Sequence, residues 1–298
     1  MIINFLKNFP NLSVVIACLF WGTYWIPLRY IDNNNNSSVW PIAISFLLMT
    51  LLLIRSFKKA LYEVVAKKNY FFLIGCFFAA LGIGLYSESL LRGEIAKVVV
   101  LFYLAPIWGT IFAKILLKQS FGINRIFAII LGIIGLEIIV GIEKGILIPS
   151  SIVEWIAIFA GLSWALGTTF FHLSKTTTTS AEKTSLTGFI ISVLFVLFCF
   201  IPEGRSLEFP IALFNLDIIY FWIVSFTIFW LLTSIILTFL SVEVLDPGRI
   251  NILLAFEVVI GFVSASLLTN ELIGLRELLG AIFVVGSCFV DVFFQKKR

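Results

Sequence analysis

An all-α integral membrane protein of ten transmembrane helices, built as two inverted repeats of five, is the fold class this sequence predicts. Three observations predict it. The 298 residues are 60% hydrophobic and only 13% charged, with a mean hydropathy of +1.09, whereas soluble domains carry about 25% charged residues; lipid therefore takes the place of water around the chain. Apolar stretches of roughly 20 residues, enough to cross a hydrocarbon core about 30 Å thick, recur along the whole length and leave no room for a soluble catalytic domain. Finally, the second half repeats polar and small residues of the first at nearly constant offsets.

The first apolar run, 12–30, carries the bulky Trp21, Tyr24 and Trp25 where a cleaved leader would need small residues, so it reads as a span. Further spans are expected at 38–56, 69–90, 95–117, 124–142, 152–173, 184–201, 216–241, 248–269 and 275–294. Polar or turn-forming breaks separate them, among them Asp32 to Ser38, Lys58 to Lys68, Ser174 to Lys183 and Pro202 to Asp217. With the N- and C-termini in the cytoplasm, 15 of the 21 basic residues fall on that side, and only Arg29, Arg92, Lys97, Lys144, Arg205 and Arg276 fall outside. That is the bias the positive-inside rule expects. The formal charge of +4 thus reports topology, not a nucleic-acid surface, because the bases are scattered through short loops. Cys18, Cys76, Cys199 and Cys288 sit in apolar runs without ligand spacing and read as small core residues; neither a metal nor a cofactor is expected.

A shift of 152 residues lays Glu94, Lys97, Gly109, Ala113 and Gly122 onto Asp246, Arg249, Gly261, Ala265 and Gly274. A shift of 143 lays Trp21 and Arg29 onto Trp164 and His172. Because five spans is an odd number, the second half enters the membrane from the opposite face. Residues 1–145 and 146–298 are the expected repeats. The recurrent Gly-x-x-x-Ala spacing predicts close helix packing, and Pro106, mid-span, predicts a kink in span 4 that could serve as a hinge.

Glu257 is the leading candidate for chemistry. It lies near the midplane of span 9, where an ionised carboxylate costs at least about 2.5 to 3.5 kcal/mol. It is either a cavity-facing acid that exchanges a proton for substrate or holds a cationic group, or a carboxyl that locks helix packing. Lys97 and Arg249 each follow an acid by three residues in matched first turns, which suits an interfacial cap with a snorkelling base or, alternatively, a gate or anion contact. His172, the single histidine, is either a coupling group titrating near neutral pH or an interfacial hydrogen-bonder. Trp21, Tyr24, Trp25, Tyr86, Tyr103, Trp164 and Trp230 fall mostly near mid-span, where interfacial belts do not explain them. They suit an aromatic-lined cavity for flat or cationic solutes, against the background that 32 phenylalanines make the whole chain aromatic-rich.

The pieces Phe20-Trp21-Gly22-Thr23, Ala105-Pro106-Ile107, Leu162-Ser163-Trp164-Ala165, and Pro247-Gly248-Arg249 through Glu257-Val258-Val259 to Asn270-Glu271 resemble the EamA-type transporters of the drug/metabolite transporter superfamily. The resemblance runs over nearly the whole chain and departs from the usual pattern at Gln119 and Val258. It implies a ten-span monomer with a central cavity between the halves, set in a plasma or inner membrane, exporting amino acids or other small metabolites, with some members importing.

Other classes fit less well. There is no H-E-x-x-H, no paired intramembrane aspartates and no Ser/His constellation for an enzyme, and no ring of like charges or repeated filter loop for a channel. A secondary transporter remains. Proton-driven export of an amino acid or related solute would use Glu257; uptake or facilitated passage of a neutral or anionic solute would use Lys97 and Arg249.

Overall fold

The computed structural model describes residues 9–120, 122–140, 149, 151–174, 178–200, 205–209, 218–269 and 275–293, without the side chains of residues 96, 97, 139, 140, 269, 277, 288 and 291–293. Among the described residues all regular structure is helical, apart from a single bridge between Ser38 and Ser206. Helices are the expected solution in lipid, since each satisfies its own backbone. The helices are α1 (Pro10–Gly22), α2 (Trp25–Asn33), α3 (Trp40–Leu52), α4 (Ile54–Val65), α5 (Tyr70–Arg92), α6 (Ile95–Phe102), α7 (Ala105–Leu116), α8 (Ile123–Val140), α9 (Ile152–Leu173), α10 (Ser180–Leu197), α11 (Ile218–Ser225), α12 (Thr233–Val242), α13 (Pro247–Leu254), α14 (Phe256–Thr269) and α15 (Leu275–Phe293). A π-helical stretch, Phe226–Leu232, joins α11 to α12.

Seven stretches among the described residues are long and apolar enough to cross a bilayer: Pro10–Asn33, Tyr70–Arg92, Val98–Leu116, Ile152–Leu173, Ser180–Phe200, Ile218–Val242 and Pro247–Leu268. The pair α3–α4 passes the same test jointly but bends by 86° at Leu53, which makes an eighth candidate. Here the structure corrects the sequence reading. Lys58 to Lys68 is not a loop, because α4 continues helically to Val65 with Ala60 buried and Phe57 and Val64 packed on the core. Its amphipathic sequence suits a helix lying along the interface. Span 7 also starts earlier than expected: Thr179 accepts from the Glu182 N–H and the Glu182 side chain accepts from the Thr179 N–H, so helix begins at Ser180 and Lys183 lies in its first turn. α8 and α15 occupy the stretches expected for spans 5 and 10.

The most extensive packing joins α5 to α9 and α8 to α15; α3 packs on α10, α1 on α12 and α14, and α7 on α9 and α13. The α5–α9 seam is backbone on backbone. A Cβ added at Gly82 would stand 2.7 Å from the Trp164 nitrogen, and one at Gly167 would stand 2.5 Å from the Ala79 nitrogen. Small residues let helices approach in this way where lipid supplies no hydrophobic drive. At the expected Gly-x-x-x-Ala positions, a Cβ at Gly109 would come within 2.5 Å of the Asn251 side chain of α13, whereas one at Gly261 would meet Gly22 of α1 at an ordinary 3.5 Å.

Two apolar stretches break at positions about 152 residues apart. α6 ends at Phe102 and α7 resumes at Ala105, with Pro106 in its first turn. Pro106 has no N–H, so the Phe102 carbonyl loses its helical donor, and that oxygen lies where a Cβ on Gly161 would come within 2.3 Å. α13 gives way to α14 at Ala255, 152 residues beyond Tyr103. No proline forces this second break. Instead the Ala255 N–H bonds to Ile252 and the Val258 N–H to Ala255, tightening the turn and freeing the Leu254 carbonyl.

Candidate functional site

Glu257 sits in the first turn of α14, immediately after the second break, and is 3% exposed. Its Oε1 accepts from the Tyr86 hydroxyl of α5 at 2.7 Å, and its Oε2 lies 2.6 Å from the Tyr103 hydroxyl at the first break. The same Tyr103 hydroxyl is 2.5 Å from the Leu254 carbonyl that the break releases. The Cys18 thiol of α1 approaches the Leu253 and Leu254 oxygens at 3.6 and 3.7 Å. The two helix breaks therefore meet, and a carboxyl without a basic partner lies between them. Polar groups this deep persist only when hydrogen-bonded.

The aromatic residues expected to line a cavity are close by, and they fill the interior. Trp21, Tyr24, Trp25, Tyr86, Tyr103 and Trp164 are buried, and Trp230 is partly buried. Most of their polar edges are already bonded: Trp21 Nε1 donates to Thr238, Trp25 Nε1 to Ser264 and Trp230 Nε1 to Thr23, while the Tyr24 hydroxyl pairs with Ser87. Trp164 differs. Its ring stacks on Phe239 at 6.0 Å, and its Nε1 is buried with no acceptor. The Trp164 backbone packs against Gly82, one turn from Tyr86 on the same face of α5. A cleft lined by Tyr103, Pro106, Ala128, Ile252, Ala255 and Ser287 adjoins the breaks; its volume, about 20 Å³, holds a water and no metabolite.

At the end of the bundle that carries Asp32 and Gly93, loop and helix ends are tied by charges the sequence reading did not single out. Arg205, from the segment after α10, bonds Asp32 of α2 and, at 2.6 Å, the fully buried Glu88 of α5, which also pairs with Arg92 at 2.5 Å. Burial alone would lower the Arg205 guanidinium, but the hydrogen bonds and charges of Asp32 and Glu88 outweigh it and hold it above its ordinary value. Arg29 donates to the Leu90 and Gly93 carbonyls at the end of α5, and Trp40 Nε1 donates to the Leu207 carbonyl. Glu88 was the visible clue, an acid inside an apolar run.

At the opposite end Asp246 caps α13 through the Arg249 backbone N–H, and its carboxylate takes a two-pronged ion pair from Arg125 at 2.6 and 2.9 Å. The acid thus caps its helix, as one of the two expected readings had it, and also takes a longer-range ion pair. Burial pushes the Asp246 carboxyl up, yet the bonds and charge of Arg125, the Arg249 N–H and His172 together hold it below the usual range. His172 lies between the Thr168 and Leu245 carbonyls, both at 2.9 Å, remote from Glu257's bonds. A neutral ring donates to one of them and a charged ring to both. Lys97 stands in the first turn of α6, but its side chain lies outside the described residues.

Among curated proteins none matches this sequence. A solved crystal structure matches 97% of this chain and 99% of its own with a TM-score of 0.71 at 12% identity, and is one of 26 solved chains that match; at that identity the likeness shows the fold alone. The profile of the EamA-like transporter family matches residues 8–141. Over that stretch, a little under half of its length, the chain is similar to the EamA-like transporters of the drug/metabolite transporter superfamily, and with its run of apolar helices it is a multi-pass membrane protein.

Proposed function

We propose that the protein is a ten-span secondary transporter of a small metabolite, an amino acid or related organic solute, which it exports by exchange for protons. In this reading residues 1–145 and 146–298 are inverted halves with both termini cytoplasmic, and access alternates around Glu257. The protein acts as a monomer in the plasma or inner membrane. One observation carries the reading: a buried mid-span carboxyl whose partners are two tyrosine hydroxyls and no base. When ionised, such a group has hydrogen-bond donors but no counter-charge, so it is suited to hand a proton on as a cationic or zwitterionic solute arrives.

Further support comes from the packing. Advancing each span by one half converts the α1–α12 pairing into α5–α9, and α1–α14 into α9–α7, as an inverted repeat requires. The unpaired Trp164 N–H supplies a donor for a solute acceptor such as a carboxylate, and the aromatic faces supply stacking. Purified protein in proteoliposomes, offered a panel of amino acids and metabolites with and without a proton gradient, tests the reading. Gradient-driven movement that Glu257→Gln abolishes, with solute binding retained, is expected; movement indifferent to the gradient would make the protein a facilitator.

A further inference from the structure

Resting on the proton-exchange reading of Glu257, we infer that Tyr103 is a positioning residue that switches its one hydroxyl proton between the Leu254 carbonyl and the Glu257 carboxylate, so that the proton on Glu257 sets the shape of the helix break between α13 and α14. The argument is a count of protons. A tyrosine hydroxyl donates once, yet the Tyr103 oxygen lies 2.5 Å from the Leu254 oxygen and 2.6 Å from Glu257 Oε2. Both contacts are hydrogen bonds only if the carboxyl is protonated. Then Glu257 donates to the Tyr103 oxygen, Tyr103 donates to Leu254, and Tyr86 donates to Glu257 Oε1 at 2.7 Å. Every proton then has one acceptor, so the geometry fits a protonated carboxyl.

When the carboxyl proton leaves to solute or water, the carboxylate becomes the stronger acceptor. The Tyr103 proton turns to it, and Leu254 loses its hydroxyl donor. The Cys18 thiol, 3.7 Å away, is a weak replacement. The better donor is the Val258 N–H, the helical partner that the break has diverted to Ala255; taking it back makes α13 and α14 continuous. Deprotonation thus straightens the span, and protonation breaks it. The titratable groups facing Glu257 are Tyr86 from α5, Tyr103 from the end of α6, and Cys18 and Tyr24 from the first span. No charged side chain from α13 or α15 bonds it among the described residues. The device therefore turns on one ionisation.

Infrared difference spectroscopy of the reconstituted protein reads this directly. At neutral pH a protonated carboxylic C=O band is expected, absent in Glu257→Gln and shifted in Tyr103→Phe, which removes one hydroxyl and keeps the ring. A wild type without that band overturns the inference whatever its transport. In transport, Tyr103→Phe should lose at least tenfold in gradient-driven flux relative to its own solute counterflow. A Tyr103→Phe protein that keeps full gradient drive, in a wild type whose drive Glu257→Gln abolishes, overturns the switch and leaves the proton-exchange reading standing. A gradient-indifferent wild type removes that reading, and the unshifted or shifted acid band in Tyr103→Phe then decides the switch alone.

Discussion

Replacing Gly161 by alanine is the sharpest test of how the break in span 4 is held. The added Cβ would stand 2.3 Å from the Phe102 oxygen, 3.2 Å from its carbonyl carbon and 3.4 Å from its Cα, all backbone atoms that no rotamer change can move. Ordinary contact begins near 3.4 Å, so α6 and α9 must part by about 1 Å. Overpacking of this kind costs up to about 3 kcal/mol, while Gly→Ala in a helix returns roughly 1 kcal/mol. The net loss is about 2 kcal/mol, a roughly 30-fold shift in the folding equilibrium. Reversible unfolding in mixed micelles measures it. Gly286→Ala is the control, since its Cβ would meet only a Leu131 methyl at 3.5 Å and should be neutral or slightly stabilising. Gly161→Ala as stable as that control would refute the close approach of the Phe102 carbonyl to α9.

Three further outcomes follow from contacts described above. Arg205→Ala strands the buried Glu88 and Asp32 and should cost about 3 to 5 kcal/mol in the same unfolding assay, because breaking one side of a buried pair leaves uncompensated charge; adding Glu88→Gln and Asp32→Asn should recover part of the loss. Ser264→Ala removes the acceptor of the Trp25 N–H and a donor to the Gly22 carbonyl, an expected loss of about 1 to 2 kcal/mol, and Trp25→Phe in the same background should cost less than it does alone. The Asp246 carboxyl is held below its ordinary value of 3.8, so its contribution is fully present above about pH 4 and is lost as the pH falls through the lower folded value. Unfolding measured from pH 6 downward should show that acid loss in the wild type and a flatter profile in Asp246→Asn.

Much of this molecule was readable from residue order. Composition places the helices, because hydropathy depends only on local sequence, and Glu257 announced itself as an acid deep in an apolar run. Pro106 predicted the first break because a missing N–H is a property of one residue. The second break, at Ala255, has no such residue; it depends on Tyr103, more than 150 positions away, taking the Leu254 carbonyl. Arg205 looked like an ordinary loop base for the same reason, since Asp32 and Glu88 become its partners only after the chain folds. The aromatic residues were found, but their role as a filled interior was not, because volume is a property of packing. The bend at Leu53 was missed because the basic residues of α4 read as a polar break, whereas their helical spacing places Ala60, Phe57 and Val64 on one buried face.

The glycine seam between α5 and α9 has a mechanical consequence. Side chains can slide over one another by changing rotamers, but backbone seated against backbone at Gly82 and Gly167 leaves no such slack. These two helices come from opposite halves of the chain, so one of the close backbone joints among the described residues ties the first half to the second. In the proposed transport cycle this pair would stay together as a spine while the looser helices swing around it, which makes the spine a sound place to anchor a fixed probe and a poor place to look for movement.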